Sequence, residues 1–97
     1  MQIDSLFSIL KQSADEVTIK LSDSEHPIFK AHFPSQPILP GFIHFEIVSR
    51  VFNIEITEIK KAKFSSLVLP KQIVKYIKKN NKFSVLFQDK EVASFSL

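Results

Sequence analysis

Apolar and polar positions along the chain follow two different periods. Ile3, Leu6, Phe7 and Leu10 recur at helical spacing and predict a short helix over residues 3–11. Ser13, Ala14 and Asp15 interrupt that stripe. Val17, Ile19 and Leu21 then alternate with Thr18 and Lys20, the period of a half-buried strand. Residues 22–27 read as a polar loop, and Pro34, Pro37 and Pro40 follow at intervals of three. Proline fits neither a helix interior nor a central ladder, so this stretch reads as a rigid extended loop. Phe42, Ile43, Phe45, Ile47, Val48, Val51 and Phe52 surround a helix over residues 41–53 almost completely, which predicts burial on most sides. Pro40 and Gly41 open that helix and Asn53 stops it.

Strand-like segments near 56–69, 72–79, 82–88 and 91–97 complete the chain. Asn80-Asn81 and Asp89-Lys90 are the expected hairpin turns, built without glycine because Asn and Asp tolerate positive φ. Helix, strand, rigid loop, buried helix and consecutive antiparallel strands make an α+β domain, its sheet packed on one hydrophobic helix. The length of 97 residues allows a single domain, 1–97.

Composition sharpens this picture in three places. With no cysteine, neither a disulfide nor a thiolate metal site can hold so small a fold together, and a second copy is the expected source of further core. Ten phenylalanines point to a thick aromatic core or an apolar tunnel. The single glycine, Gly41, stands where a ligand could approach the backbone. The longest apolar runs are far below the ~18 residues that span a bilayer, and residues 1–12 lack the layout of a signal peptide, so a soluble cytoplasmic protein is expected.

The formal net charge of +3 hides an asymmetry. Residues 1–59 carry a net −4, and residues 60–97 a net +7 from nine lysines against Asp89 and Glu91. Such a half can attract an acidic partner, or its lysines can simply line the wet face and edges of a sheet. Without arginine or a recognisable stacking motif in this region, nucleic acid is disfavoured.

Few residues can do chemistry. There is no nucleophile elbow or glycine-rich phosphate loop, and His26, His32 and His44 are not at metal-ligand spacings, so no metal is expected. His32 heads the proline-locked loop, and Glu46 lies inside the most apolar helix, where a carboxylate must be paired, protonated or functional. Gly41 sits at the helix N-terminus, where backbone N–H groups favour negative charge. Together they could supply a base, an acid and an oxyanion donor for proton abstraction beside a carbonyl. Equally, Glu46 and Arg50 could be an ion pair four apart, and His32 a loop histidine satisfied by backbone.

The run from His32 to Glu46, HFPSQPILPGFIHFE, resembles the active-site signature of the hot-dog-fold 3-hydroxyacyl-acyl-carrier-protein dehydratases. That signature reads H-F-P-x-x-P-x-x-P-G with an acidic residue fourteen positions after the histidine, and Glu46 is fourteen after His32. Lys63-Phe64 through Val68-Leu69-Pro70 is similar to a later family segment, K-F-x-x-x-V-x-P. The chain departs from the family at Ser35, Arg50 and Lys71-Gln72, and in these it looks more like the short, stand-alone dehydratase-like members.

The resemblance implies a hot-dog fold, an antiparallel sheet wrapped around one central helix, working as a homodimer or a larger assembly of dimers. It implies catalysis by His32 as base and Glu46 of the partner chain as acid, with the Gly41 N–H on the thioester oxygen. Phe33, Pro40 and Phe42 would line the substrate site beside Gly41. No cofactor is implied; the substrate would arrive on the phosphopantetheine arm of acyl carrier protein, an acidic partner that suits the lysine-rich half. The implied reaction is dehydration to a trans-2-enoyl thioester, in fatty-acid or related lipid metabolism. Two other readings stand beside it: a hot-dog acyl thioesterase in which the acid activates water, and a non-catalytic acyl or carrier-protein binding module.

Overall fold

The alternation of Val17, Ile19 and Leu21 is realised as a strand whose inward positions are buried and whose outward ones are not. It belongs to a computed structural model that describes Ile3, residues 5–31 and residues 35–97. Along the chain come β1 (Phe7–Gln12), β2 (Glu16–Leu21), α1 (Pro27–Ala31), α2 (Ile43–Val51), β3 (Lys61–Phe64), β4 (Ile73–Lys79), β5 (Lys82–Phe87) and β6 (Lys90–Ser96). The strands form one antiparallel six-stranded sheet in the order β1-β2-β4-β5-β6-β3.

Register decides which side chains face the helix. Val17, Tyr76, Val85, Ala93 and Phe64 are paired in one row across β2, β4, β5, β6 and β3. Because paired residues share a face, this row points toward α2. The neighbouring row, Glu16, Ile77, Ser84, Ser94 and Lys63, points the other way. Against the inner face α2 buries Ile43, His44, Ile47, Val48 and Val51. Burial of each large apolar side chain contributes roughly 1.5–3 kcal/mol, so this helix–sheet seam dominates the stability of the fold. Five of the aromatic rings continue the seam: Phe45 meets Phe95 edge-on at 4.8 Å, Phe95 stacks on Phe83 at 5.2 Å, and Phe83 meets Phe52 at 5.6 Å, with Phe64 beside Phe45 at 6.1 Å.

The structure corrects several sequence expectations. Residues 7–12 are a strand and not part of a helix over 3–11. β1 is an outer strand with Leu10 exposed, while Ile3 and Leu6 are buried ahead of it, so the helical spacing arose from two unrelated environments. Residues 27–31 form α1, where the sequence placed the end of a polar loop at 27 and no helix. Pro27 takes its first position, where a missing N–H costs nothing. His26 caps it, with Nδ1 accepting from the Ile28 N–H at 3.1 Å. The strand expected over 56–69 is confined to Lys61–Phe64. The last hairpin turns at Gln88-Asp89, both at positive φ (51° and 64°), one residue before the expected pair. An irregularity between Val85 and Leu86 sets this register and pairs Lys90 with Phe87. Asn53, at φ 52°, ends α2 as expected. No helix among the described residues is long and apolar enough to cross a membrane.

Candidate active site

The proline loop is pinned before it enters α2. The Leu39 N–H donates to the Val68 carbonyl at 2.8 Å, and Leu39 and Pro40 are buried. The first turn is wound tightly: Ile43, His44 and Phe45 donate to the carbonyls of Pro40, Gly41 and Phe42 at 3.0, 3.1 and 3.2 Å. Among the described residues the Gly41 N–H has no partner, which leaves it available as a donor. Gly41 does not have positive φ. Its missing side chain matters for another reason: a Cβ there would stand 2.9 Å from Cε1 and 3.0 Å from Cζ of Phe64. The space beside this backbone is therefore taken by the Phe64 ring, where the sequence suggested an open approach.

Beside that ring lies a groove of about 390 Å³ bordered by Pro40, Gly41, Phe42, His44, Phe64 and Leu67, among others. Phe42, Phe64 and Leu67 are 46%, 49% and 57% exposed. Three large apolar side chains around one groove are an unusual concentration on a small surface.

Glu46 is placed differently from the sequence expectation. It is on the exposed edge of α2, because the helix is buried on one face and not all round. It borders a second groove of about 350 Å³ with Phe42, Phe45, Ser49, Glu55, Ile56 and Ile59. Glu46 makes no ion pair among the described residues, whereas Lys30 and Glu25 form one at 2.7 Å, exposed to solvent. Phe42 belongs to both grooves. Among the described residues, then, Gly41 borders one of these grooves and Glu46 the other. His32 and Phe33 lie outside the described residues.

Sequence reasoning passed over His44 except to exclude it as a metal ligand. Its position shares a helical face with Ile47, Val48 and Val51, which was the available signal for burial. His44 is 3% exposed, and its Nδ1 is 2.8 Å from the hydroxyl of Tyr76, which is fully buried on β4. Its ring lies nearly parallel to Phe64, 18° between planes at 6.3 Å. Burial disfavours the charged imidazolium and lowers the pKa of His44 from 6.5 to about 4. Burial pushes the Tyr76 phenol upward for the same reason. The pair is therefore neutral near pH 7.

Comparisons with known proteins agree on what this arrangement is similar to. A 3-hydroxyacyl-[acyl-carrier-protein] dehydratase FabZ of Caldanaerobacter subterraneus subsp. tengcongensis is 33% identical over 54 residues, 56% of this chain and 38% of that protein. The alignment thus spans well under half of the curated relative. Among solved structures, the dehydratase heterocomplex ApeI:P from Xenorhabdus doucetiae matches with a TM-score of 0.64 at 20% identity, covering 91% of this chain and 89% of that one. An uncharacterised protein from Erwinia carotovora subsp. atroseptica matches with a TM-score of 0.57 at 22% identity, covering 93% and 92%. At these identities the two structures speak for the fold. The family model of the ApeI-like proteins, described as ApeI dehydratase, matches residues 10–96. From β1 through β6, then, the chain belongs to the ApeI-like dehydratase family and has the hot-dog fold.

Proposed function

We propose that this chain, as one hot-dog domain over residues 1–97, dehydrates a 3-hydroxyacyl thioester on acyl carrier protein to the trans-2-enoyl thioester. Family membership and the unbroken run from His32 to Glu46 support the reading. The observation that carries it furthest is that Gly41 and Glu46 border two different grooves, which share Phe42. A single chain offers two halves of a site. A homodimer sets the His32–Gly41 half of one protomer against the Glu46 half of its partner.

In that assembly His32 removes the C2 proton of the acyl group. The partner's Glu46 delivers a proton to the 3-hydroxyl as the C3–O bond breaks. The electron pair of the C2–H bond becomes the C2–C3 double bond, and water leaves. The Gly41 N–H holds the thioester oxygen as negative charge develops on it. Phe33, Pro40 and Phe42 confine the acyl group, and no metal or cofactor takes part. The carrier protein approaches through lysines of residues 60–82, among them Lys61, Lys63, Lys79 and Lys82, which are exposed. The setting is the cytoplasm.

Incubation of the purified protein with a 3-hydroxyacyl thioester tests the reaction. Rising absorbance of the conjugated enoyl product is expected, without release of free thiol. Thiol release would assign a thioesterase, and binding without either product would assign a non-catalytic module. Subunit exchange tests the shared site. When inactive His32→Ala and Glu46→Gln homodimers exchange subunits, each mixed dimer should have about half of wild-type activity, because one of its two sites carries neither lesion, and an equimolar mixture about a quarter. Demonstrated exchange with no recovery would rule out the shared site.

A further inference from the structure

The groove beside Gly41 is bordered by two polar side chains that the proposed chemistry does not use, the exposed Ser66 and the buried His44. His44 borders this groove although it is 3% exposed. Among the described residues its ring makes one hydrogen bond, through Nδ1 to the Tyr76 hydroxyl. Every buried side-chain nitrogen and oxygen among the described residues has a partner. The second ring nitrogen, Nε2, has none and so cannot be sealed inside the core. It is the part of His44 that reaches the groove.

The buried phenol decides what Nε2 presents. Tyr76 has His44 Nδ1 as its partner among the described residues. A phenol satisfies its own proton only by donating it, so Nδ1 accepts and the ring proton sits on Nε2. A neutral imidazole in this tautomer is a fixed N–H donor. Stacking beside Phe64 and burial on α2 restrict its rotation. Among the described residues around the groove, the other polar side chain is that of the exposed Ser66, and the rest are apolar.

We propose that His44 is a specificity-determining residue, its Nε2–H donating to an acceptor oxygen on the acyl chain beyond C3. This rests on the reading of the groove as the acyl site. His44 follows Gly41 by three residues through the turn that opens α2, its N–H donating to the Gly41 carbonyl at 3.1 Å. Side chains three apart in such a turn start about 5–6 Å from each other, so a chain whose thioester oxygen is held at Gly41 passes His44 about four bonds further on. A purely aliphatic chain covers Nε2–H without pairing it. A chain with a carbonyl near C5 pairs it. A donor that hydrocarbon covers and leaves unmet weakens binding by about tenfold. The structure thereby selects acyl chains that carry oxygen along their length over saturated hydrocarbon chains of equal length.

The test uses matched 3-hydroxyacyl pantetheine thioesters, aliphatic or bearing one carbonyl at C4, C5 or C6. The folded wild-type protein is expected to prefer one oxygenated member by roughly tenfold in kcat/KM. His44→Leu should bring that ratio close to unity, and Tyr76→Phe should reduce it by freeing the ring. Because His44→Leu alters the core, nitrogen NMR of the wild-type protein gives a second reading: the Nε2–H tautomer at pH 7, with its resonance shifting when an unreactive C5-oxo acyl-pantetheine amide is added. An Nδ1–H tautomer, no shift with the amide, or an unchanged ratio in a folded His44→Leu protein overturns the proposal. Absence of all turnover with a clear shift at His44 would instead remove the dehydratase reading and leave the donor in place.

Discussion

Acid is expected to weaken this fold through one side chain, and the size of the effect can be worked from His44. The folded protein holds its pKa at about 4, against 6.5 for a free imidazole. Between those values the unfolded chain binds a proton that the folded chain refuses. Stability is therefore full above pH 6.5 and falls as the pH drops toward 4. At ~1.4 kcal/mol per pKa unit the loss reaches about 3 kcal/mol near pH 4, a large part of the stability of a small domain. Urea unfolding followed by circular dichroism at pH 7 and pH 4, at one protein concentration, measures it. The comparison is His44→Leu, which carries the same carboxylates and the same His26, whose pKa burial also lowers. Those groups contribute alike to both proteins. Wild type should lose about 3 kcal/mol more than the variant over this range. Parallel losses would refute the idea that a buried, neutral His44 couples folding to pH.

Other perturbations probe the site and the frame around it. His32→Ala and Glu46→Gln should each lower turnover by roughly 10²–10⁴-fold without unfolding the protein, as measured by steady-state rates beside thermal melting. Gly41→Ala drives a methyl group into the Phe64 ring; since that ring is half exposed it should swing aside, costing no more than about 1 kcal/mol while lowering kcat/KM, and Phe64→Leu in the same chain should restore part of the activity. Gln88→Gly should raise stability by about 1 kcal/mol in urea unfolding, because Gln88 is held at φ 51°. Added salt should weaken carrier-protein association much more than activity on a small thioester, since exposed lysines act across only ~8–10 Å at physiological ionic strength. Equal salt sensitivity would remove the lysines from carrier recognition.

The inner strands and α2 were legible because each carries one buried face. Val17 and Ile19, Val74 and Tyr76, and Phe83 and Val85 keep a clean period of two. β1 was not legible: as an edge strand exposed through most of its length it has no face to betray, and Ile3 and Leu6 lent it a false helical spacing. α1 was hidden because Pro27 reads as a loop residue unless His26 is seen as its cap. At the site, residue types and spacing identified Glu46 and Gly41 as candidates, but their surroundings depend on contacts distant in sequence. Phe64 comes onto Gly41 only because β3 joins the sheet beside β6. His44 gains its meaning only from Tyr76, on β4. Side-chain period reports a face, and not which partner waits across it.

That position of β3 also sets an order of assembly during synthesis. β3 has a single ladder partner, β6, with Lys61 opposite Ser96 and Phe64 opposite Ala93. While the chain emerges from a ribosome, α2 and β3 appear well before the strand that anchors them. Phe64 cannot settle over Gly41 until residues 93–96 are free to pair. The groove beside Gly41 thus forms only once β6 is available, and until then the His44–Phe45 end of α2 lacks its Phe64 cover. Lys61 and Lys63 flank that waiting segment with charge, which discourages the unpaired strand from joining its counterpart on a neighbouring nascent chain.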